Sequence, residues 1–233
     1  MPKLTFLGVG SAFHPELHNT SACFWQNDTL YLLDCGSTVV SRLLYTGMLQ
    51  SAKRLVVLIS HLHADHTGSL GTLLAYCRHV RPISVTLVHP QDNLCALMEL
   101  SGIPRDRYVF CSGLDYADDA ICARFFPVPH TGALAAFGMT VSDGQETIYF
   151  SGDAAKIPDE VWSRFLTGDI ARIYQDAALH SDPKAHGTYS VFLTICPAER
   201  RAAFFPIHWD EDMAARIQDD GFGLVDLSQN NTR

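Results

Sequence analysis

Six consecutive residues, His61-Leu62-His63-Ala64-Asp65-His66, place three imidazoles and one carboxylate within reach of one another. In an extended turn His61 and His63 project to one side, so both rings can reach one ion. Asp65 and His66, further round the turn, face a neighbouring position. Neutral imidazoles and a carboxylate form the borderline-soft donor set that zinc accepts. The chain has eleven histidines and a formal charge of −8, a high histidine count for an acidic protein and a second pointer to a metal site.

Such a loop needs a scaffold, and the hydrophobic pattern predicts one. Leu4 to Leu7, Ala22 to Gln26 and Thr29 to Leu33 read as strands, the last two joined by a turn at Asn27-Asp28. Ser37 to Tyr45 has helical spacing and stops at Gly47. Leu55 to Ile59 is an apolar strand running into His61. Ser69 to Val80 follows as a helix, Ile83 to Val88 as a strand, Gln91 to Leu100 as a helix and Tyr108 to Cys111 as a strand.

In the second half, Ile121 to Val128 reads as a strand that delivers His130. Leu134 to Val141 and Thr147 to Phe150 form a hairpin around Asp143-Gly144 and end at Ser151-Gly152-Asp153. Helix Asp159 to Leu166, strand Ile170 to Tyr174 and helix Tyr189 to Cys196 come next. Strand Ala202 to Ile207 then delivers His208, and helix Asp212 to Ile217 and strand Gly223 to Val225 close the chain. The candidate ligands fall at strand ends, and the alternation predicts helices layered outside sheet.

The 233 residues, 47% hydrophobic and 18% charged, suit one α/β domain over 1–233. No apolar run reaches the ~18–20 residues of a membrane span, so no membrane partner is expected. The N-terminus reads as a first strand and not a signal peptide. Seven scattered cysteines without a C-x-x-C pair suit a reducing compartment, with the cytoplasm as the expected location. Only 17 Lys and Arg, with no basic run longer than Arg200-Arg201, argue against a long nucleic acid as partner. They leave a small nucleotide open as substrate.

Over nearly its whole length the chain resembles the metallo-β-lactamase superfamily. His130 in Val128-Pro129-His130-Thr131-Gly132, Asp153 in Phe150-Ser151-Gly152-Asp153 and His208 in Pro206-Ile207-His208 match the later ligands of that pattern. The resemblance implies an αββα sandwich, two mixed sheets with helices on the outer faces. It implies that His61, His63 and His130 bind one metal, that Asp65, His66 and His208 bind another, and that Asp153 bridges them. Two zinc ions are the expected cofactors, with manganese the alternative. Such a pair, about 3.5–4 Å apart, generates a hydroxide nucleophile at neutral pH and clamps the attacked group. Asp34 in Leu32-Leu33-Asp34-Cys35-Gly36 matches the buried aspartate beneath the site, where it would orient a ligand histidine; on its own it reads equally as a turn residue.

Within the superfamily the opening Leu4-Thr5-Phe6-Leu7-Gly8-Val9-Gly10-Ser11-Ala12 and the second-metal Asp65 resemble the RNase Z-like branch. Asp176-Ala177-Ala178 followed by His186-Gly187-Thr188 is similar to its acidic residue and H-S-T element, with Gly187 in place of Ser. That implies catalytic roles for Asp65, at the metal pair, and for His186, as the proton donor to the leaving oxygen, with His180 the competitor. Only 22 residues separate His130 from Asp153, leaving no room for a tRNA-gripping arm. In size the chain instead resembles the small anti-Pycsar-type cyclic-nucleotide phosphodiesterases, and the branch implies a homodimer. The expected activity is hydrolysis of a 3′,5′ cyclic mononucleotide. RNA 3′-end processing, a lactone or other carbonyl hydrolysis, and a non-enzymatic metal-holding scaffold are the alternatives.

Other residues read more blandly. His79 and His89 suit capping or surface positions, and Arg200-Arg201 a solvated pair. Trp25, Trp162 and Trp209 suit packing, and His14 and His18 are either substrate contacts or plain loop.

Overall fold

The computed structural model describes residues 3–227. In chain order the strands and α-helices are β1 (Thr5–Gly8), β2 (Ser21–Gln26), β3 (Thr29–Leu33), α1 (Val39–Thr46), β4 (Arg54–Leu58), α2 (Ala64–Thr67), α3 (Leu70–His79), β5 (Ser84–Val88), α4 (Asn93–Leu100), β6 (Val109–Cys111), β7 (Asp115–Ala117), β8 (Cys122–Val128), β9 (Ala136–Ser142), β10 (Thr147–Phe150), α5 (Asp159–Thr167), β11 (Arg172–Asp176), α6 (Tyr189–Ile195), β12 (Phe204–Ile207), α7 (Ala214–Asp219) and β13 (Asp226–Leu227). One sheet runs β13-β1-β2-β3-β4-β5-β6 and the other β12-β11-β10-β9-β8-β7. Both mix parallel and antiparallel pairs, as an αββα sandwich requires.

The central strands read as unbroken apolar runs because both of their faces are covered. Tyr31, Leu33, Val56 and Leu58 point into the core between the sheets. Their alternates Leu30, Leu32, Leu55 and Val57 pack beneath α1, α3 and α4. The inter-sheet core is aromatic: Phe6 meets Tyr174 at 5.4 Å, and Tyr174 stacks on Phe205 at 4.8 Å. Val161 and Phe165 of α5, Phe192 of α6 and Ile217 of α7 close the far side of the second sheet.

The predicted turns hold. Asn27 takes φ 53° between the paired Gln26 and Thr29. Gly144 takes φ 83°, and the Asp143 carboxylate accepts the Gln145 and Glu146 amides in the β9–β10 hairpin. Helix α1 stops at Gly47, which is left-handed at φ 71°.

Three expectations need correction. The closing strand is not at 223–225, because the Gly223 amide is spent on the carbonyls of Arg201 and Phe204; pairing begins at Asp226, parallel to Thr5. The metal-ligand loop is extended only through His63. The His63 carbonyl accepts the His66 and Thr67 amides, so Asp65 and His66 ride on the helical turn α2. The short polar strand β7 was hidden because Tyr116 alone of its three residues is buried.

All seven cysteines are free. Cys23, Cys35, Cys77 and Cys196 are buried, Cys95 and Cys111 half-buried, and Cys122 is exposed, so not all of them pack as core groups. Among the described residues no helix is long and apolar enough to cross a membrane.

Candidate metal centre

Strand direction explains how distant residues meet. Strands β3 and β4 are parallel, and Asp34 and His61 follow their C-terminal ends. In the other sheet β8, β10, β11 and β12 share one direction, and their ends carry His130, Asp153, Asp176 and His208. Both sheets thus present polar side chains at the carboxyl ends of their strands, where ligands of α/β sheets gather.

The seven expected ligands form two groups that share one carboxylate. His63 Nδ1 lies 3.0 Å from His61 Nε2 and 3.1 Å from His130 Nε2. Asp153 Oδ2 lies 3.7 Å from both His61 Nε2 and His130 Nε2. On the other side Asp153 Oδ1 is 3.0 Å from His66 Nε2 and 3.2 Å from His208 Nε2. Asp65 Oδ2 completes that group, 3.3 Å from His66 Nε2 and 3.5 Å from His208 Nε2. Within each group the donor atoms all fall within 4.8 Å of one another.

The electrostatics fit a cation here. His66 Nε2 and Asp153 Oδ1 are both buried and face each other at 3.0 Å without the alignment of a hydrogen bond. Burial works against charge on His208, but the neighbouring carboxylates of Asp153, Asp176 and Asp65 raise its pKa to about 10. His66 is opposed by burial in the same way, and Asp153 and Asp34 hold it well above the usual histidine range. Burial alone would raise Asp153, yet His208 and His66 pull it well below the carboxylate range. His61 goes the other way: burial, then the neighbouring His66, keep it neutral and ready to ligate. Carboxylates buried with no Lys or Arg in the two groups call for positive charge, and the cluster marks a divalent-metal site.

A layer of hydrogen bonds aims the ligands. Asp34, wholly buried, accepts the Ser60 amide at 2.7 Å through Oδ1. Its Oδ2 accepts the Ser60 hydroxyl at 2.7 Å and faces His66 Nδ1 at 2.8 Å. Asp34 is therefore the orienting residue and not merely a turn former; its φ of 61° is a strained conformation that this network holds. His208 is left-handed as well, at φ 61°. His130 Nδ1–H donates to the Ala185 carbonyl at 2.8 Å, which turns Nε2 toward the centre. Ser60, missed in the sequence, was detectable only as a small polar residue wedged between an apolar strand and a ligand.

Beside the second group the half-buried His186 pairs with the buried Asp176. His186 Nδ1 lies 2.9 Å from Asp176 Oδ2, and its ring stacks on His208 at 5.0 Å. Burial opposes protonation of His186, but the Asp176 hydrogen bond and charge outweigh it and raise the pKa. His180 lies outside the cleft lining: it is exposed, and its Nε2 is 3.5 Å from Glu211. The loop holding both is anchored by Asp210, whose carboxylate accepts the Leu179 and His180 amides and the Ser181 hydroxyl.

Gly187, which departs from the family's Ser, has a steric reason. A Cβ there would lie 2.0 Å from the Asp176 carbonyl oxygen and 2.6 Å from the Phe192 ring. Gly187→Ser should cost about 1–3 kcal/mol, seen as roughly 2–4 °C in Tm per kcal/mol for a chain of this size. Thermal unfolding that matches the wild type would show that this contact gives way freely.

The groups open into a cleft of about 680 Å³, lined also by Phe13, Asn19, Thr38, Thr131 and Ser181. His14 and His18 do not line it. His89 is not a surface group: it is fully buried, and its Nδ1–H donates to the Ile59 carbonyl. Arg200 and Arg201 are neither solvated nor a phosphate clamp. Arg200 lies over Phe165 and donates to the Ile170 carbonyl, and Arg201 donates to the carbonyls of Cys196, Leu193 and Asp220.

The profile of the family described as "Anti-Pycsar protein Apyc1" matches residues 2–105. The chain is 40% identical over 246 residues to the Anti-Pycsar protein Apyc1 of Bacillus phage vB_BveM-Goe7, covering 94% of this chain and 93% of that one. The chain belongs to the anti-Pycsar Apyc1 family. Its fold matches solved metallo-β-lactamase-fold structures. YhfI from Bacillus subtilis superposes with a TM-score of 0.73 at 15% identity, covering 97% of this chain and 96% of that one. The short form of human tRNase Z gives a TM-score of 0.67 at 19% identity, covering 97% of this chain and 96% of that one. This Apyc1-family chain thus keeps the superfamily sandwich.

Proposed function

We propose that the chain is a metal-dependent phosphodiesterase that opens the 3′,5′ ring of cyclic mononucleotides at a pair of zinc ions. The observation that carries this reading is Asp153, whose two carboxylate oxygens face two separate ligand groups. His61, His63 and His130 would hold one ion and Asp65, His66 and His208 the other. Bound there, the pair would activate water at neutral pH and neutralise charge on the phosphoryl oxygens.

The chain's own residues supply the rest. Asp176 fixes the His186 ring through Nδ1, so that Nε2 is left to carry the proton to the departing ribose oxygen. Asp153 would set the spacing between the two halves of the site, and Asp65 would complete the half that holds His66 and His208. A cleft of about 680 Å³ suits a small molecule. The compact β9–β10 hairpin between His130 and Asp153 offers no arm to grip an RNA, and the charge of −8 disfavours a polyanion.

The deciding experiment offers the protein a panel of 3′,5′ cyclic mononucleotides, a precursor tRNA, a lactone and a β-lactam. Cyclic mononucleotides should be turned over far faster than the tRNA is trimmed, with neither carbonyl substrate cleaved. Efficient 3′ trimming without cyclic-nucleotide turnover would reverse the assignment.

A further inference from the structure

The loop from Ser11 to His18 presents an unusual side chain to the cleft. Phe13 is 90% exposed, and among the exposed large apolar side chains of the described residues it alone lines the site. Lining the cleft, the ring offers apolar area that an occupant would bury.

The loop that carries the ring is pinned at its base. At its base the Val9 amide donates to the Leu17 carbonyl, the Gly10 amide to His18 and the Ser11 amide to Trp209. Gly10 also bridges to Asn19 and Trp209. A Cβ on Gly10 would come within 2.8 Å of Leu17 Cβ and 2.9 Å of the His18 carbonyl oxygen, so the two legs of the loop are pressed together. The Trp209 contact ties the loop to the residue that follows the ligand His208. The base of the loop is therefore tied to the metal-ligand groups, with Phe13 two residues beyond the Ser11–Trp209 hydrogen bond.

We infer that Phe13 is the platform on which the nucleobase stacks, an inference that rests on the cyclic-nucleotide reading above. Once the phosphodiester sits on the metal-ligand groups, the base must project from the ribose toward the cleft wall. Ala12, Phe13 and Pro15 of that wall carry no side-chain hydrogen-bonding groups, so this wall can bind the face of a base but cannot read its edge. Every base has such a face, and stacking tolerates all of them. A base bound by its face gains with ring area, so purines are favoured over pyrimidines.

The test compares wild-type protein with Phe13→Ala and Phe13→Trp on 3′,5′-cyclic AMP, 3′,5′-cyclic UMP and the baseless methyl riboside 3,5-cyclic phosphate. Phe13→Ala should raise KM for both nucleotides about ten-fold, more for the purine, with kcat little changed. KM for the baseless compound should stay near its wild-type value, and Phe13→Trp should restore nucleotide KM. As a readout independent of turnover, the indole emission that Phe13→Trp adds to the wild-type fluorescence should be quenched by cyclic AMP and not by the baseless compound. An unchanged nucleotide KM in Phe13→Ala, or an equal rise for the baseless substrate, would overturn the platform. Wild-type protein that neither binds nor hydrolyses any of the three would overturn the cyclic-nucleotide reading as well, and so the two failures are distinguishable.

Discussion

Asp153→Ala should strip the protein of metal and abolish its hydrolytic activity. Purified under zinc-replete conditions, the wild type should hold close to two ions per chain by elemental analysis, and the variant markedly fewer. The size of the effect follows from geometry. Among the described residues Asp153 has an oxygen toward each ligand group, so its loss removes a donor from both at once and takes from His66 and His208 the strongest of the negative charges that face them. Most of the rate enhancement should go with it, a factor of about 10⁶ at the least for enzymes generally. His63→Ala strikes one group only, but it too should lose metal and activity together on every substrate. At most one ion per chain in the replete wild type would sink the two-metal arrangement.

His186→Ala should behave differently, retaining its metal while losing about 10²–10⁴-fold in kcat on a cyclic nucleotide, the usual worth of a positioned acid. The reason lies in its partners: Nδ1 is held by Asp176 and the ring stacks on His208, and the residue belongs to neither of the two ligand groups just described. The loss should shrink on bis(p-nitrophenyl) phosphate, because nitrophenolate leaves without needing a proton. Asp176→Asn should reproduce part of the effect by freeing the ring. Equal losses on good and poor leaving groups, with metal retained, would mean that His186 positions substrate instead of protonating it.

Much of this centre can be read from the chain because its signals are local. His61 to His66 lie in one short segment, and His130, Asp153 and His208 each end an apolar run whose period is plain. What stayed hidden depends on partners distant in sequence. Asp34 could not be told from a turn residue without Ser60 and His66, 26 and 32 positions away. Gly187 looked like a flaw in a motif until the Asp176 carbonyl and Phe192 were seen to occupy the space of a side chain. Phe13 carries no pattern at all, since its exposure is set by how the loop is pinned. The strand at 223–225 slipped to 226–227 because tertiary hydrogen bonds claimed the Gly223 amide, and short edge strands have little periodicity to resist such a shift.

The ligands come from both layers of the sandwich: His61, His63, Asp65 and His66 follow a strand of one sheet, and His130, Asp153 and His208 follow strands of the other. Metal bound across that seam would act as a clasp on the fold. An ion present at one hundred times its dissociation constant adds about 2.7 kcal/mol to stability when it binds only the folded chain, a sizeable share of the ~5–15 kcal/mol that typically holds a protein folded. The cell's supply of metal would then govern how long each molecule survives proteolysis as well as whether it is active.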